Sequence, residues 1–131
     1  FTLYKQGLVL ISVDTISGIT GGITDINTMG AAMAPAAFHT IKTHMSDLNT
    51  APEDYDLIVT GDLGQVGKEL LMELARHDGI HLGGRLTDCG TMVFDSSRQD
   101  VHSGGSGCGC SASVLCSHIL NSMKKGKRKR I

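Results

Sequence analysis

The chain has 131 residues and a formal net charge of −1, the size of one modest domain around one core. Hydrophobic residues at 40% against charged residues at 19% exclude disorder by composition, and no apolar run approaches the ~20 residues of a spanning helix. The charge is uneven: six of the twelve basic residues are Lys124, Lys125, Lys127, Arg128, Lys129 and Arg130, so residues 1–123 carry six basic against thirteen acidic, which excludes a basic nucleic-acid-binding body.

No basic stretch and apolar core open the chain, so no signal peptide is expected. Residues 2–14 read as one extended segment with Leu8-Val9-Leu10-Ile11 at its apolar centre. Residues 15–28 are rich in Gly, Thr and Ile, and Asn27 or Thr28 is placed to cap a helix. That helix is predicted over 29–48, with Met33, Ala37, Ile41, Met45 and Leu48 as its buried face. Pro35 suits the first turn of a helix best, so the regular part is expected to begin near it.

Residues 51–54 read as a loop, 55–60 as a short central strand and 61–64 as the turn at its carboxyl end. A helix is predicted over 65–77, with Val66, Leu70, Leu71 and Leu74 on the core side and Asp78-Gly79 as its stop. Residues 80–88 read as a loop, Met92-Val93-Phe94 as a short strand and 99–107 as a Gly/Ser-rich loop. A last helix is predicted from 108–111 to 124; Gly126 breaks it, and 127–131 look like the start of another strand. The order is that of an α/β layered fold, in which ligands gather at the carboxyl ends of strands.

Three constellations bear on chemistry. The run Gly104-Gly105-Ser106-Gly107-Cys108-Gly109-Cys110-Ser111-Ala112 removes side chains just before a helix. Bare amides and a positive dipole end suit a carboxylate or another anion. The same glycines equally suit hard packing of that helix. No Gly-Lys-Ser/Thr follows, so it is not a Walker loop. Cys108, Cys110, Cys116 and His118 have zinc-ligand chemistry, but offsets of six and eight along one helix do not bring three onto one ion. No metal is therefore expected, and reduced, buried helix cysteines are the default. Cys89 is a candidate nucleophile with no activating neighbour in sequence. His39, His44, His77 and His81 form no common stripe. The basic end reads either as favourable charge at a helix C-terminus or as a contact for phosphate or an anionic membrane.

The runs Thr24-Asp25-Ile26-Asn27-Thr28-Met29-Gly30-Ala31-Ala32-Met33-Ala34-Pro35-Ala36-Ala37, Tyr55-Asp56-Leu57-Ile58-Val59-Thr60-Gly61-Asp62-Leu63-Gly64, Asp88-Cys89-Gly90 and Gly104 to Ala112 resemble the stage V sporulation protein AD family, a thiolase-like group related to ketoacyl synthases. The resemblance implies a thiolase-like C-terminal half over 1–131, a mixed sheet with helices layered α-β-α; the N-terminal half and closing strand lie outside it. It implies a protein of spore formation that binds dipicolinic acid and supports its uptake, with calcium, into the spore. Expected partners are that acid, other proteins of the same operon, the surface of the spore inner membrane, and a second copy as in thiolase-like dimers. No other cofactor is implied. The expected location is the spore, peripheral to its inner membrane.

Condensing relatives use a cysteine in the half absent here, plus His and Asn. Their histidine matches Gly61-Asp62 and their asparagine matches Gly109-Cys110-Ser111, so the resemblance implies a pocket without condensation chemistry. Its expected ligand-binding residues are Gly61, Asp62, Ser106, Gly107, Cys108, Gly109, Cys110 and Ser111. The alternatives are an acyltransferase acting through Cys108 or Cys110, and a scaffold docked through the basic end.

Overall fold

The computed structural model describes residues 2–5, 8–11, 29–107 and 109–131, the first two stretches through their backbone alone. The expected cap at Asn27 or Thr28, the stretch 15–28 and Cys108 lie outside the described residues.

The amino-terminal segment is two strands rather than one. β1 (Thr2–Lys5) and β2 (Leu8–Ile11) pair antiparallel, with Thr2 opposite Ile11 and Lys5 opposite Leu8. The apolar run Leu8–Ile11 thus has a backbone partner within its own neighbourhood.

α1 spans Met29–Asp47. Pro35 sits inside it rather than near its start; its ring removes one donor from the helical ladder, and tertiary packing carries the helix across that gap. Met45 is buried and Met33, Ala37 and Ile41 pack on the core, as the spacing predicts. Leu48 is a correction: it is 40% exposed, because the helix has ended by then. Asn49 adopts φ +49°, the Thr50 amide donates to the Met45 carbonyl, and the Asn49 amide to that of Ser46. A left-handed residue closing two carbonyls in this way is a Schellman ending.

The predicted strand over 55–60 narrows to β3 (Ile58–Thr60). α2 follows over Gly64–His77 and ends in the same way, with Gly79 at φ +79° and the Ile80 amide donating to the Ala75 carbonyl. Its buried stripe is Gly64, Gly67, Leu71 and Ala75, and Val66 is 48% exposed, against expectation. The reason is the crossing with α1. A Cβ on Gly67 would stand 2.7 Å from the Gly30 carbonyl oxygen, and one on Gly30 would stand 2.1 Å from that of Leu63. Backbone meets backbone there, so Gly67 rather than Val66 faces α1.

Two further corrections fall in the next stretch. The predicted loop 80–88 contains β4 (Leu86–Asp88), parallel to β3 with Thr60 opposite Asp88. The predicted strand at 92–94 is instead the end of a short helix, α3 (Cys89–Val93), and Met92, Val93 and Phe94 are each more than a third exposed. Asp88 is held by the turn after β3, so the pairing stops there and the chain turns away.

The last helical run comprises α4 (Gly109–Val114), a π turn over Leu115–Ile119 and α5 (Leu120–Lys124). The π turn is marked by the Leu120 amide donating to the Leu115 carbonyl. Gly126, at φ +69°, ends the run, with the Lys127 amide donating to the Ser122 carbonyl. Residues 127–131 form no strand. Among the described residues their one backbone-to-backbone bond near β3 is the Asp56 amide donating to the Arg130 carbonyl, too few for a ladder.

The strands alternate faces, as a pleat requires. Ile58 and Leu86 belong with Ala34, Met45, Leu71, Ala75 and Leu82 in a core shared with α1 and α2. Val59 packs instead against Cys89, Cys110, Val114 and Ile119. The architecture is therefore mixed α/β, with helices packed around a small parallel sheet. Among the described residues no helix is long and apolar enough to cross a membrane.

Candidate site at the carboxyl end of the parallel sheet

Parallel strands expose amides and side chains at their carboxyl ends, and here both strands stop at polar residues, Thr60 and Asp88. Asp88 is fully buried. One of its carboxylate oxygens accepts the Thr60 hydroxyl at 2.7 Å and the Leu63 amide at 3.0 Å; the other accepts the Gly64 amide at 2.9 Å. The Gln65 amide donates to the Ser103 carbonyl at 2.7 Å. The first amides of α2 thus have no local side-chain cap; a distant carboxylate and a distant carbonyl satisfy them. A negative charge there also complements the dipole of α2.

This clamp fixes the 61–64 turn, and the turn presents Asp62 to the Gly-rich segment. Asp62 accepts the Gly107 amide at 2.9 Å. The Gly105 amide donates to the Gly90 carbonyl at 2.8 Å, and the Gly104 amide to that of Val101 at 2.9 Å. Gly104 and Gly107 both have positive φ. A Cβ on Gly105 would stand 2.9 Å from the Cys110 sulfur. These glycines therefore do both things the sequence leaves open. They let the segment pack against α3 and α4, and they keep the rim of a cleft bare.

Of the expected site residues, Asp62 and Ser106 line the cleft; Gly61, Gly107, Gly109, Cys110 and Ser111 lie on the neighbouring turn and at the head of α4 without lining it, and Cys108 lies outside the described residues. Gly61 lies against Ser111, where a Cβ on Gly61 would stand 3.6 Å from that of Ser111. Gly107 accepts the Cys110 amide at 3.0 Å, and Ser106 offers its carbonyl to the Cys110 thiol at 3.5 Å. Gly109 and Ser111 are exposed at the head of α4, whereas Cys110 is buried. The cleft itself has a volume of about 100 Å³. Asp62 and Ser106 line it together with Ser103, Gly104, Gly105 and the start of α1 at Met29 and Gly30. Ser103 and the α1 start are absent from the sequence-derived set, because only the fold brings them there.

The expected cradle of bare amides is partly filled by the chain itself. The Gly104, Gly105 and Gly107 amides all have internal acceptors. Asp62 therefore already occupies the Gly107 amide that the sequence leaves open.

The thiols near the cleft are poor nucleophiles. Burial, then the charges of Asp62 and Asp88, pushes the Cys110 thiol up, and burial with Asp88 does the same to Cys89. Both stay protonated at neutral pH. Cys116 is free and exposed. Iodoacetamide at pH 7, followed by peptide mass mapping, should label Cys116 at least tenfold faster than Cys89 or Cys110. Equal rates would contradict the buried, protonated state. Among the described residues, no three His, Cys, Asp or Glu side chains converge as metal ligands.

Comparison with known proteins bears on this geometry. The family model described as Stage V sporulation protein AD (SpoVAD) matches residues 4–131. Stage V sporulation protein AD of Bacillus subtilis (strain 168) is 44% identical over 126 residues, covering 95% of this chain and 37% of that relative. The chain thus spans little more than a third of the length of the curated relative it matches. The segments that build the cleft all fall within the matched residues, and the chain belongs to the stage V sporulation protein AD family.

Proposed function

We propose that this chain is part of a non-catalytic, thiolase-like spore protein that binds dipicolinic acid and supports its uptake, with calcium, into the spore. The observation that carries the reading is the Asp62–Gly107 contact at the carboxyl end of β3. The condensing relatives use a histidine at the position matching Gly61-Asp62, to polarise a carbonyl. An ionised carboxylate accepts hydrogen bonds and donates none, so Asp62 does not take over that task. The protonated thiols of Cys89 and Cys110 point the same way, so the acyltransferase alternative has no support from them.

Dipicolinate is a planar ring with two carboxylates. The Ser106 hydroxyl and the glycine-bared rim of the cleft suit one carboxylate, at ~1.5–3 kcal/mol per charge-assisted hydrogen bond. Asp62 opposes a bare dianion, and a bridging Ca²⁺ reverses that sign. The other partners in this reading are proteins of the same sporulation operon and the surface of the spore inner membrane. Calorimetric titration of the intact protein with dipicolinate, with and without calcium, tests it. Saturable binding that tightens with calcium is expected. Equal affinities would remove the calcium part, and no saturable binding in either arm would overturn the reading.

A further inference from the structure

The basic end of the chain is held in place rather than trailing. The Lys129 and Arg130 amides donate to the Asp56 carboxylate at 2.7 and 3.1 Å. Those bonds hold Asp56 below the ordinary aspartate range. The Arg130 guanidinium lies 4.8 Å from the centre of the Tyr55 ring. At the other end of the segment, Gly126 turns the chain and the Lys127 amide is bonded to Ser122. Lys127 and Arg128 are thereby fixed between two anchored points.

They face the outer side of the π turn and α5. A cleft of about 420 Å³ opens there, lined by His118, Asn121, Lys125, Lys127 and Arg128 among others, and by no carboxylate. Among the described residues the ion pairs are Lys42–Asp78 and Arg76–Glu73, so Lys125, Lys127 and Arg128 have no acidic partner. Asp56, whose charge reaches Arg128, is engaged by backbone amides. One Arg128 nitrogen donates weakly to the Ser122 hydroxyl at 3.4 Å, and one Asn121 N–H is bonded to the Ser117 carbonyl. The remaining donors of Arg128, Lys125, Lys127 and Asn121 surround the cleft.

We propose that this cleft, between the π turn–α5 segment and Lys125–Arg128, binds a phosphate group. Its chemistry is that of a multiply charged tetrahedral oxyanion site: convergent ammonium and guanidinium donors, an amide N–H, and no competing carboxylate. The three cations outweigh the half-unit negative end of the helix dipole at α5. The volume exceeds that of one phosphate and leaves room for the organic part of an ester. The proposal is independent of the dipicolinate reading, which concerns the opposite end of this helical run.

The test uses the intact protein in phosphate-free buffer. Inorganic phosphate and glycerol 3-phosphate are titrated by calorimetry, and sedimentation is compared with phosphatidylglycerol and phosphatidylcholine vesicles. A triple variant (Lys125→Gln, Lys127→Gln, Arg128→Gln) is compared with a charge-matched control (Lys68→Gln, Arg85→Gln, Arg98→Gln). Binding at least tenfold weaker in the triple variant and unchanged in the control is expected. Lys127→Gln alone, which breaks no side-chain contact, should show a smaller loss. Binding of the soluble ester assigns the site to free phosphates; binding of phosphatidylglycerol vesicles alone assigns it to lipid headgroups. Equal weakening in both variants, or no binding of any probe by the parent protein, overturns the proposal.

Discussion

Asp88→Ala should lower the free energy of unfolding by roughly 3–5 kcal/mol, read from denaturant titration of the intact protein. The carboxylate is fully buried and accepts a hydroxyl and two amides. Removing it leaves the Leu63 and Gly64 amides facing a void at the start of α2, where the helix supplies no acceptor of its own, while the Thr60 hydroxyl keeps a longer bond to the Thr87 carbonyl at 3.3 Å. Each buried donor left unpaired costs about 1–3 kcal/mol. Asp88→Asn does not repair the site. Each oxygen accepts a backbone amide, so either orientation of the asparagine amide sets its NH₂ against the N–H of Leu63 or of Gly64. We expect Asp88→Asn to recover less than half of the loss. An Asp88→Asn protein as stable as the parent would show that the clamp does not hold the 61–64 turn. The same variant should disturb the cleft, since that turn carries Asp62.

Gly30→Ala is the second large effect, a loss of about 2 kcal/mol or more. Two terms compete. Replacing glycine inside a helix by alanine gains up to ~1 kcal/mol of propensity. Against that, the new Cβ would stand 2.1 Å from the Leu63 carbonyl oxygen, and overpacking costs ~1–3 kcal/mol or more when the neighbour is backbone and has no rotamer to change. The clash wins because α1 and the start of α2 must separate to admit the methyl group. Gly109→Ala isolates the opposing term: among the described residues, and apart from its chain neighbours and its own helix backbone, no atom lies within 4 Å of its Cβ, and its φ is not positive. Unchanged or slightly raised stability is expected there. Equal effects of the two substitutions in thermal unfolding would contradict the close α1–α2 crossing.

The parts of the fold carried by local chemistry were legible in the sequence. The apolar spacing from Met33 to Met45 located α1. The glycines at 79 and 126 marked two helix ends, because a left-handed residue is needed to close the last carbonyls. What escaped depends on distant partners. β4 is the three-residue run Leu-Thr-Asp, too short to show a period; its register is set by Thr60 bonding to Asp88 across 28 positions. The buried role of Asp88 and the choice of Gly67 over Val66 were hidden for the same reason. The π turn carries no residue pattern that distinguishes it from α-helix.

The candidate site is legible as a motif, but not the partner of its Gly107 amide. The segment Gly104–Gly107 stood out because repeated glycine is costly unless backbone must come close. From the sequence its amides are expected to be open, yet Asp62, 45 positions away, occupies that of Gly107. Long-range acceptors of this kind leave no local signature. They also change the chemistry, because the Gly107 amide is no longer a free donor.

Selective ¹⁵N-glycine labelling of the intact protein, with dipicolinate and calcium added stepwise, addresses the binding claim at its source. The Gly107 amide resonance, and to a lesser degree that of Gly105, should move and saturate with the dissociation constant found by calorimetry. Saturable binding that leaves both resonances unmoved would place the ligand elsewhere and contradict the account.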